Sequence, residues 1–314
     1  MNTLSPSELI AQHSLAAPLA ELTDRIARLT AGGEGFHRTA LPALHLIRFD
    51  APTACMPTVY EPRLCLVVQG SKLAILGEQH YRYDPLHYLV VSVTLPMIGQ
   101  VVEASPEKPY LCLRLDLAPE DIAGLLLDGP ERAGDNEAGE DGACAAYAAR
   151  VGTPLLDAVL RLMRLLDAPE DLRVLAPLAI REILYRVLQG DLGGRLRALA
   201  VKDGQHQRVA QAVMLLRRHY LEPLRVEALA RTVHMSVSAL HRGFKAATSM
   251  SPLQYQKQLR LHEARRLMLV DGLEAAAAAH RVGYESPSQF SREYKRLFGA
   301  PPRAEVMAVR TASR

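Results

Sequence analysis

The spacing of hydrophobic residues along this chain changes twice, and each change marks a different kind of structure. Leu15 to Ala31 has the spacing of a short amphipathic helix that ends before two glycines. From about Leu41 to Leu117, short apolar runs are separated by Pro and Gly, which is typical of strands joined by turns. Several such strands at near-regular spacing predict a β-sandwich or a small barrel.

Helical spacing returns after Leu127 to Gly152, a stretch rich in Gly, Ala, Asp and Glu that we expect to be a loop. Two apolar stripes follow, namely Leu155, Leu156, Val159, Leu162, Met163 and Leu166, and then Leu175, Leu178, Ile183, Leu184, Val187 and Leu188. Helices this apolar either pack on their own sheet or expose one stripe to a second copy of the chain. A homodimer through residues 155–188 is therefore one of two interpretations.

One segment occurs twice near the end of the chain, about fifty residues apart: ARTVHMSVSALHRGFK begins at Ala230, and AHRVGYESPSQFSREYK begins at Ala279. Each copy has a small Ala where two helices cross, a turn, and a second helix with one apolar side, which is the pattern of a helix-turn-helix unit. Ordinary helical hairpins explain Leu240 and Phe244. They do not explain why Arg and Lys recur at matched positions, as Arg242 and Arg292 do.

A long helix is predicted between the two units. Ser251 followed by Pro252 combines a capping hydroxyl with a proline at the first helical position, and the helix runs to about Val270. The arginines predicted to face outward on it are Arg260, Arg265 and Arg266. If both recognition helices bind one face of a duplex, they enter successive major grooves about 34 Å apart.

Formal charge divides the chain into unlike halves. Residues 201–314 carry 19 Lys and Arg against 9 Asp and Glu, a formal +10, whereas residues 1–200 carry 18 against 25, a formal −7. The basic half is attracted to phosphate whatever base sequence it reads. The length of 314 residues fits two domains, which we place at residues 1–200 and 201–314.

Composition favours a soluble, cytoplasmic protein, because 49% of the residues are hydrophobic and 23% are charged. No apolar run approaches the roughly 20 residues of a membrane helix, and the first residues lack the pattern of a signal peptide. No phosphate-binding loop or nucleophile motif indicates an enzyme. The scattered histidines, His45, His80 and His87, predict neither a metal site nor a cofactor.

The four cysteines lack the spacing of a metal site, and a reducing compartment disfavours disulfides, so buried free thiols are the first interpretation. They are Cys55, Cys65, Cys112 and Cys144. Cys65 has a second interpretation, because it lies in a predicted strand next to a turn. A thiolate of low pKa there could react with an aldehyde or an oxidant, which would make the strand-rich region a sensor.

Two longer runs resemble the DNA-binding domain of AraC/XylS-type transcriptional regulators over about residues 205–303: MSVSALHRGFKAATSMSPLQYQKQLRLHEARRLM and HRVGYESPSQFSREYKRLFGAPP. Upstream, PRLCLVVQGSKLAILGEQHYRYDPLHYLVVSV resembles the N-terminal domain of one subgroup. The resemblance implies an α+β protein of two domains: an N-terminal cupin-like β-barrel with flanking helices, and an all-α domain with two helix-turn-helix units joined by a linker helix. Double-stranded DNA, a small-molecule effector bound in the barrel, and RNA polymerase are the partners it implies.

Carried over residue by residue, the resemblance assigns base-facing positions to Ser238, Ala239, His241 and Arg242 in the first unit, and to Pro287, Ser288, Ser291 and Arg292 in the second. Arg makes bidentate contacts to guanine, Ser bonds to several bases, and Ala or Pro touches the thymine methyl group. The candidates for phosphate contacts are Lys245, Ser251, Lys257 and Lys295. Two residues depart from the family pattern and affect helix ends: Arg225 at a capping position, and Ser249 where Gly is common.

Overall fold

The structure is a computed structural model that describes residues 6–118, 121, 125, 144–190 and 204–312. Its N-terminal part begins with helix α1 (Pro6–Leu29) and contains ten strands. The strands are β1 (Gly35–Arg38), β2 (Leu44–Phe49), β3 (Met56–Tyr60), β4 (Arg63–Gln69), β5 (Ser71–Leu76), β6 (Gln79–Tyr83), β7 (His87–Val91), β8 (Leu95–Glu103), β9 (Tyr110–Asp116) and β10 (Ala146–Arg150).

The strands form two antiparallel sheets that face each other. One has six strands in the order β1-β2-β9-β4-β7-β10, and the other has four in the order β3-β8-β5-β6. Within the described ranges the strands do not close into one hydrogen-bonded ring. The N-terminal part is therefore a pair of facing sheets, similar to the predicted barrel but not closed.

Strand β10 corrects the prediction of a loop from Leu127 to Gly152. Ala146 pairs with Val91 and Arg150 pairs with His87, which adds β10 to the edge of the six-stranded sheet. The sequence AYAAR has little intrinsic preference for a strand, and the pairing with β7 outweighs that local preference. Residues 127–143 of the predicted loop lie outside the described residues.

Helices cover the outer face of the six-stranded sheet. After β10 come α2 (Thr153–Arg164), a 3₁₀ turn (Leu165–Asp167) and α3 (Pro169–Gln189). Leu162 and Met163, on the first apolar stripe, are 0% and 1% exposed, so that stripe packs internally. The second stripe is divided, because its later residues are buried whereas Leu175 and Leu178 are exposed.

The C-terminal part is helical, as predicted, so the two-domain α+β class is confirmed. Its helices are α4 (Gln205–Arg218), α5 (Val226–Thr232), α6 (Val237–Thr248), α7 (Pro252–Leu269), α8 (Ala275–Arg281), α9 (Pro287–Phe298) and α10 (Pro302–Ala312). The boundary predicted near residue 200 lies outside the described residues. Among the helices that the structure describes, none contains an apolar stretch that could span a lipid bilayer.

The β-domain packs directly against the helical part. The Tyr255 hydroxyl on α7 donates to the Thr94 carbonyl at 2.8 Å, and Arg217 on α4 pairs with Glu61 at 2.8 Å. The Ala145 amide donates to the Ala247 carbonyl at 3.1 Å. One hydrophobic core consequently runs from the sheets into α4–α6 and the start of α7, whereas α8–α10 pack around a separate core.

Candidate nucleic-acid interface

The two repeated segments fold into two helix-turn-helix units with matching turns. In the first unit, α5 and α6 are joined by a turn in which the Met235 amide donates to the Ala230 carbonyl at 2.9 Å. In the second unit, between α8 and α9, the Tyr284 amide makes the equivalent bond to the Ala279 carbonyl at 3.0 Å. The repeat read from the sequence is therefore a repeat of structure.

A left-handed residue lies in each turn, where the chain reverses between the two helices. It is His234 in the first unit (φ 52°) and Gly283 in the second (φ 84°). Glycine adopts this conformation without steric cost, whereas His234 does so at some cost. The His234 carbonyl accepts a bond from Arg208 at 3.0 Å, which helps to hold the first turn.

Serine hydroxyls cap both recognition helices, α6 and α9. Ser236 accepts a bond from the Ala239 amide at 3.2 Å, and Ser286 accepts one from the Gln289 amide at 3.3 Å. Each cap satisfies an amide that the first helical turn leaves without an intrahelical partner. A short polar residue before each helix thus fixes where the recognition helix begins.

The two departures from the family pattern also lie at helix ends. Arg225 precedes α5 and makes no side-chain capping bond. Ser249 ends α6 in the left-handed region (φ 57°), and an added Cβ at Gly77 of the β5–β6 turn would lie only 2.7 Å from the Ser249 Cβ. Glycine at position 77 lets the β-domain approach the end of the first recognition helix.

The predicted base-facing residues lie on one exposed side of each recognition helix. Leu240 and Phe244 are fully buried in the first unit, as are Phe290 and Tyr294 in the second, and the base-facing candidates lie on the opposite side. Ala239 is half-buried and the other candidates are exposed, namely Ser238, His241, Arg242, Pro287, Ser288, Ser291 and Arg292. Their contacts with DNA remain predictions.

Basic residues extend both faces by one further turn. Lys245 follows Arg242 and Lys295 follows Arg292 by three residues, and all four side chains are exposed. Within the described part of the chain, no carboxylate forms an ion pair with any of them, so their charges are available to a partner. The exposed cationic side chains occur at equivalent positions of the two units, where packing does not require them.

The remaining two phosphate candidates lie away from these faces. Ser251 caps α7 in a capping box, accepting from the Gln254 amide at 3.3 Å while its own amide donates to the Gln254 side chain at 2.9 Å. Lys257 pairs with Glu293 at 2.7 Å and lines a cleft of about 460 Å³ between the β-domain and the second unit. A phosphate contact by Lys257 would require this ion pair to open.

Two of the three arginines expected to face outward on α7 are engaged in long-range contacts. Arg265 pairs with Glu305 at 2.7 Å, and both side chains are largely buried. Arg260 donates to four main-chain carbonyls that are distant in sequence. Only Arg266 is exposed as predicted, in local pairs with Glu263 and Asp271. Helical spacing did not identify the first two because their partners belong to other elements.

A polar cluster lies between the two sheets of the β-domain. Cys112 on β9 pairs with Val67 on β4, and Cys65 lies two residues before Val67, so the two thiols project from the same face of the sheet. The facing sheet contributes Lys72, whose ammonium lies 5.7 Å from the centre of the Tyr60 ring. The hydroxyl groups of Tyr60, Tyr83 and Tyr110 are buried, and none of them has a hydrogen-bond partner among the residues that the structure describes. Such groups are costly to bury, which makes this interior a candidate ligand site.

The two thiols of this cluster have pKa values shifted in opposite directions. Hydrogen bonding with Cys112, aided by the positive charges of Arg63 and Lys72, lowers the pKa of the Cys65 thiol despite its burial. Burial raises the pKa of Cys112 well above its usual range. Three of the four cysteines are buried as expected, whereas Cys55 is exposed.

The three histidines singled out in the sequence are not brought together. His45 lies 3.7 Å from Asp116, His87 bonds to Asp84, and His80 bonds to the Glu78 carbonyl. Among the described residues, no group of three or more His, Cys, Asp or Glu side chains is arranged to hold a metal ion.

The chain combines a β-domain with two helix-turn-helix units, and each unit has an exposed basic recognition face. This combination is that of a nucleic-acid-binding protein with a second domain. Comparison of families gives the same division. Residues 40–195 match the family described as "AraC-type transcriptional regulator N-terminus", and residues 229–305 match a "Helix-turn-helix domain". The chain belongs to the AraC-type transcriptional regulators.

Individual relatives are more distant. Over 157 residues the chain is 29% identical to the HTH-type transcriptional activator RhaS of Salmonella schwarzengrund, covering 49% of this chain and 55% of RhaS. Over 123 residues it is 28% identical to the HTH-type transcriptional regulator ArgR of Pseudomonas aeruginosa, covering 39% of this chain and 37% of ArgR. The chain thus matches about half the length of these relatives or less.

The fold also resembles that of a solved two-domain structure. ToxT of Vibrio cholerae, in a structure with a bound unsaturated fatty acid, superposes with a TM-score of 0.54 over 84% of this chain and 93% of ToxT, at 9% sequence identity. At that identity, the likeness concerns the fold alone.

Proposed function

We propose that this chain is a sequence-specific transcriptional regulator that binds double-stranded DNA through α6 and α9 and responds to a small organic effector in the β-domain. The observation that carries the proposal is the pair of equivalent basic faces, each exposed and without ion-pair partners among the described residues. Phosphate neutralisation would supply affinity, and Arg242 and Arg292 would read bases.

A binding experiment with the full chain tests the DNA part. Duplexes selected from a random library should be retained with an affinity that falls steeply as salt rises, because bound lysines and arginines release counterions. Replacing Arg242 and Arg292 together with Ala should abolish the selection of a defined sequence. Arg173→Ala removes the same type of charge from an exposed site on α3 and serves as the control. Equal retention of all sequences by the unaltered chain would contradict sequence-specific binding.

The cluster between the sheets supports the effector part. Three buried hydroxyls and the Lys72 ammonium can donate to a ligand that carries carbonyl or carboxylate oxygens, and the surrounding walls are apolar. The ToxT structure with a fatty acid supports an organic ligand for a protein of this fold. A metal-free effector that binds only the folded state should raise the melting temperature with concentration, and Lys72→Met should reduce that increase. An undiminished increase in Lys72→Met would exclude Lys72 from the site.

The thiol pair favours a second candidate function, in which Cys65 itself senses electrophiles. Its lowered pKa makes the thiolate more abundant than at an ordinary buried cysteine. Mass spectrometry after brief treatment of the native protein with N-ethylmaleimide would distinguish a reactive Cys65 from a buried, inert one. Exposed Cys55 is the internal control for labelling. If Cys65 stays unmodified while Cys55 reacts, Cys65 is not a sensor of electrophiles.

We further propose a division into an effector and dimerisation domain at residues 1–200 and a DNA-binding domain at residues 201–314. The exposed residues Val174, Leu175 and Leu178 on α3 are the candidates for a homodimer contact, since the other stripe is internal. RNA polymerase is a proposed partner, a cytoplasmic location is proposed, and no enzymatic activity is proposed. Light scattering at several protein concentrations tests the dimer.

A further inference from the structure

Arg260 lies where the linker helix α7 passes from one hydrophobic core to the other. Leu259, the residue before it, packs in the core shared by the β-domain and the first unit. Leu261, the residue after it, packs in the core of the second unit. Because the two cores are separate, the relative placement of the units depends on the linker helix, on the contact of α9 with strand β3, and on polar contacts made across this point.

The Arg260 guanidinium makes such contacts to the turn that leads into the first unit and to the second unit. Toward the first unit, it donates to the carbonyls of Tyr220 at 2.8 Å, Leu221 at 3.0 Å and Glu222 at 3.0 Å, which form the turn after α4. Toward the second unit, it donates to the Gly283 carbonyl at 3.1 Å, inside the turn between α8 and α9. One planar side chain therefore joins the two turns.

Neighbouring residues show why this link depends on Arg260 in particular. Gln256, one helical turn earlier, donates to the Tyr220 and Glu222 carbonyls at 3.0 and 2.6 Å, and within the described residues it makes no bond to the second unit. At Gly283, an added Cβ would lie 3.2 Å from the Arg260 Cζ and 3.3 Å from the Leu221 carbonyl oxygen. The absence of a side chain at Gly283 lets the guanidinium and both turns approach closely.

We propose that Arg260 is a positioning residue that fixes the two recognition helices relative to each other and thereby sets the spacing of the two base-pair groups that the chain reads. This rests on the proposed function in DNA binding. Bonds to main-chain carbonyls use four of the five N–H donors of the guanidinium, so Arg260 acts through geometry rather than by contacting phosphate. One inserted base pair displaces the second group by about 3.4 Å and rotates it by roughly 35°, which a rigid pair of units does not follow.

The test uses the full chain and a duplex that the unaltered protein selects from a random library. Two derivatives of the duplex carry one inserted base pair between the contacted groups, or a scrambled second group. Arg260→Gln is compared with Arg266→Gln, which removes the same charge from the same helix but breaks only local ion pairs. The unaltered chain and Arg266→Gln should lose at least about tenfold in affinity on insertion, as expected when linked binding is lost.

Arg260→Gln should bind the selected duplex about tenfold more weakly, bind the scrambled duplex as the unaltered chain does, and lose less than about threefold on insertion. A steep insertion penalty retained in Arg260→Gln would overturn the proposal, as would an equal loss on the selected and scrambled duplexes, which indicates misfolding alone. Arg260→Lys keeps the charge, but its compact ammonium cannot bond to both turns at once, so it should show the same loss of the insertion penalty and decides the proposal if Arg260→Gln does not fold. Failure of the unaltered chain to select any duplex would refute the proposed function as well, whereas selection without a spacing preference would refute only this inference.

Discussion

Gly243 allows the first recognition helix to pack closely against α4, and its replacement by Ala offers a quantitative test of that packing. A Cβ at Gly243 would lie 2.7 Å from the Val209 Cγ2 atom, well inside the 3.5–4.0 Å of an optimal carbon contact. Val209 is 4% exposed, and β-branched side chains in a helix have one strongly preferred rotamer. The clash is relieved only if α4 or α6 moves.

Two opposing effects set the expected change in stability. Ala in place of Gly inside a helix stabilises by about 1 kcal/mol, whereas overpacking a well-packed core costs about 1–3 kcal/mol. We expect Gly243→Ala to lower the free energy of unfolding by about 1 kcal/mol. Val209→Ala removes the clashing methyl group and should cost about 1.5 kcal/mol through lost burial. In that background, Gly243→Ala should stabilise by about 1 kcal/mol, which reverses its sign and gives a coupling of about 2 kcal/mol.

Urea unfolding of the full chain, followed by circular dichroism, measures all four members of this double-mutant cycle. The change of sign is the decisive observation, because it does not depend on the absolute size of either effect. If Gly243→Ala stabilises the chain equally with Val209 and with Ala at position 209, then close packing between α4 and α6 does not require Gly243, and the reasoning fails.

Arg292→Ala should cost about 1–3 kcal/mol of DNA binding and relax discrimination at one base pair; competition among duplex variants that shows full discrimination would refute this role. Burial, with a contribution from Arg265, lowers the pKa of His262 from 6.5 to about 4, so the folded state binds fewer protons and stability should fall as pH drops through that window. His262→Gln should flatten this dependence in thermal melts, and an unchanged pH profile would contradict it. Leu162→Glu should unfold the β-domain, whereas Leu178→Glu should give a folded monomer if α3 mediates a dimer; light scattering that still shows a dimer excludes that contact.

The features predicted best from the sequence are those fixed by neighbouring residues. Ser251 before Pro252 predicted the start of α7 because capping and a proline at the first position act within one helical turn. The repeat predicted both helix-turn-helix units because burial of Leu240 and Phe290 follows helical spacing. In each case the physical cause lies within a few residues of its effect.

The features that sequence reasoning missed depend on partners far away in the chain. Arg260 has the spacing of an exposed residue on α7, and its bonds to the turns at residues 220–222 and 283 appear only in the folded chain. The sequence likewise predicts an unpaired cation at Lys257, whereas the fold places Glu293 beside it. Strand β10 was missed because Ala-rich segments have weak strand preference without the pairing to β7. Spacing along one element carries no information about these partners.

The contacts between the β-domain and α4 indicate how binding of the proposed effector would be transmitted to the recognition helices. Tyr60, whose hydroxyl faces the interior cluster, is followed directly by Glu61. Glu61 pairs with Arg217 of α4 and accepts a bond from the Thr94 hydroxyl at 2.9 Å, and the Thr94 carbonyl accepts the Tyr255 hydroxyl of α7. A ligand bound near Tyr60 would therefore lie one residue away from the carboxylate that holds α4.

Proximity alone does not make such an effector regulatory. A ligand shifts DNA binding only if its affinity differs between the arrangement seen here and another one. The first unit shares its core with the β-domain, whereas the second unit touches that domain where α9 meets strand β3, so a movement that starts at Glu61 would displace the two units differently. The resulting change is a displacement of one recognition helix relative to the other, which is the same quantity that the bonds of Arg260 restrain.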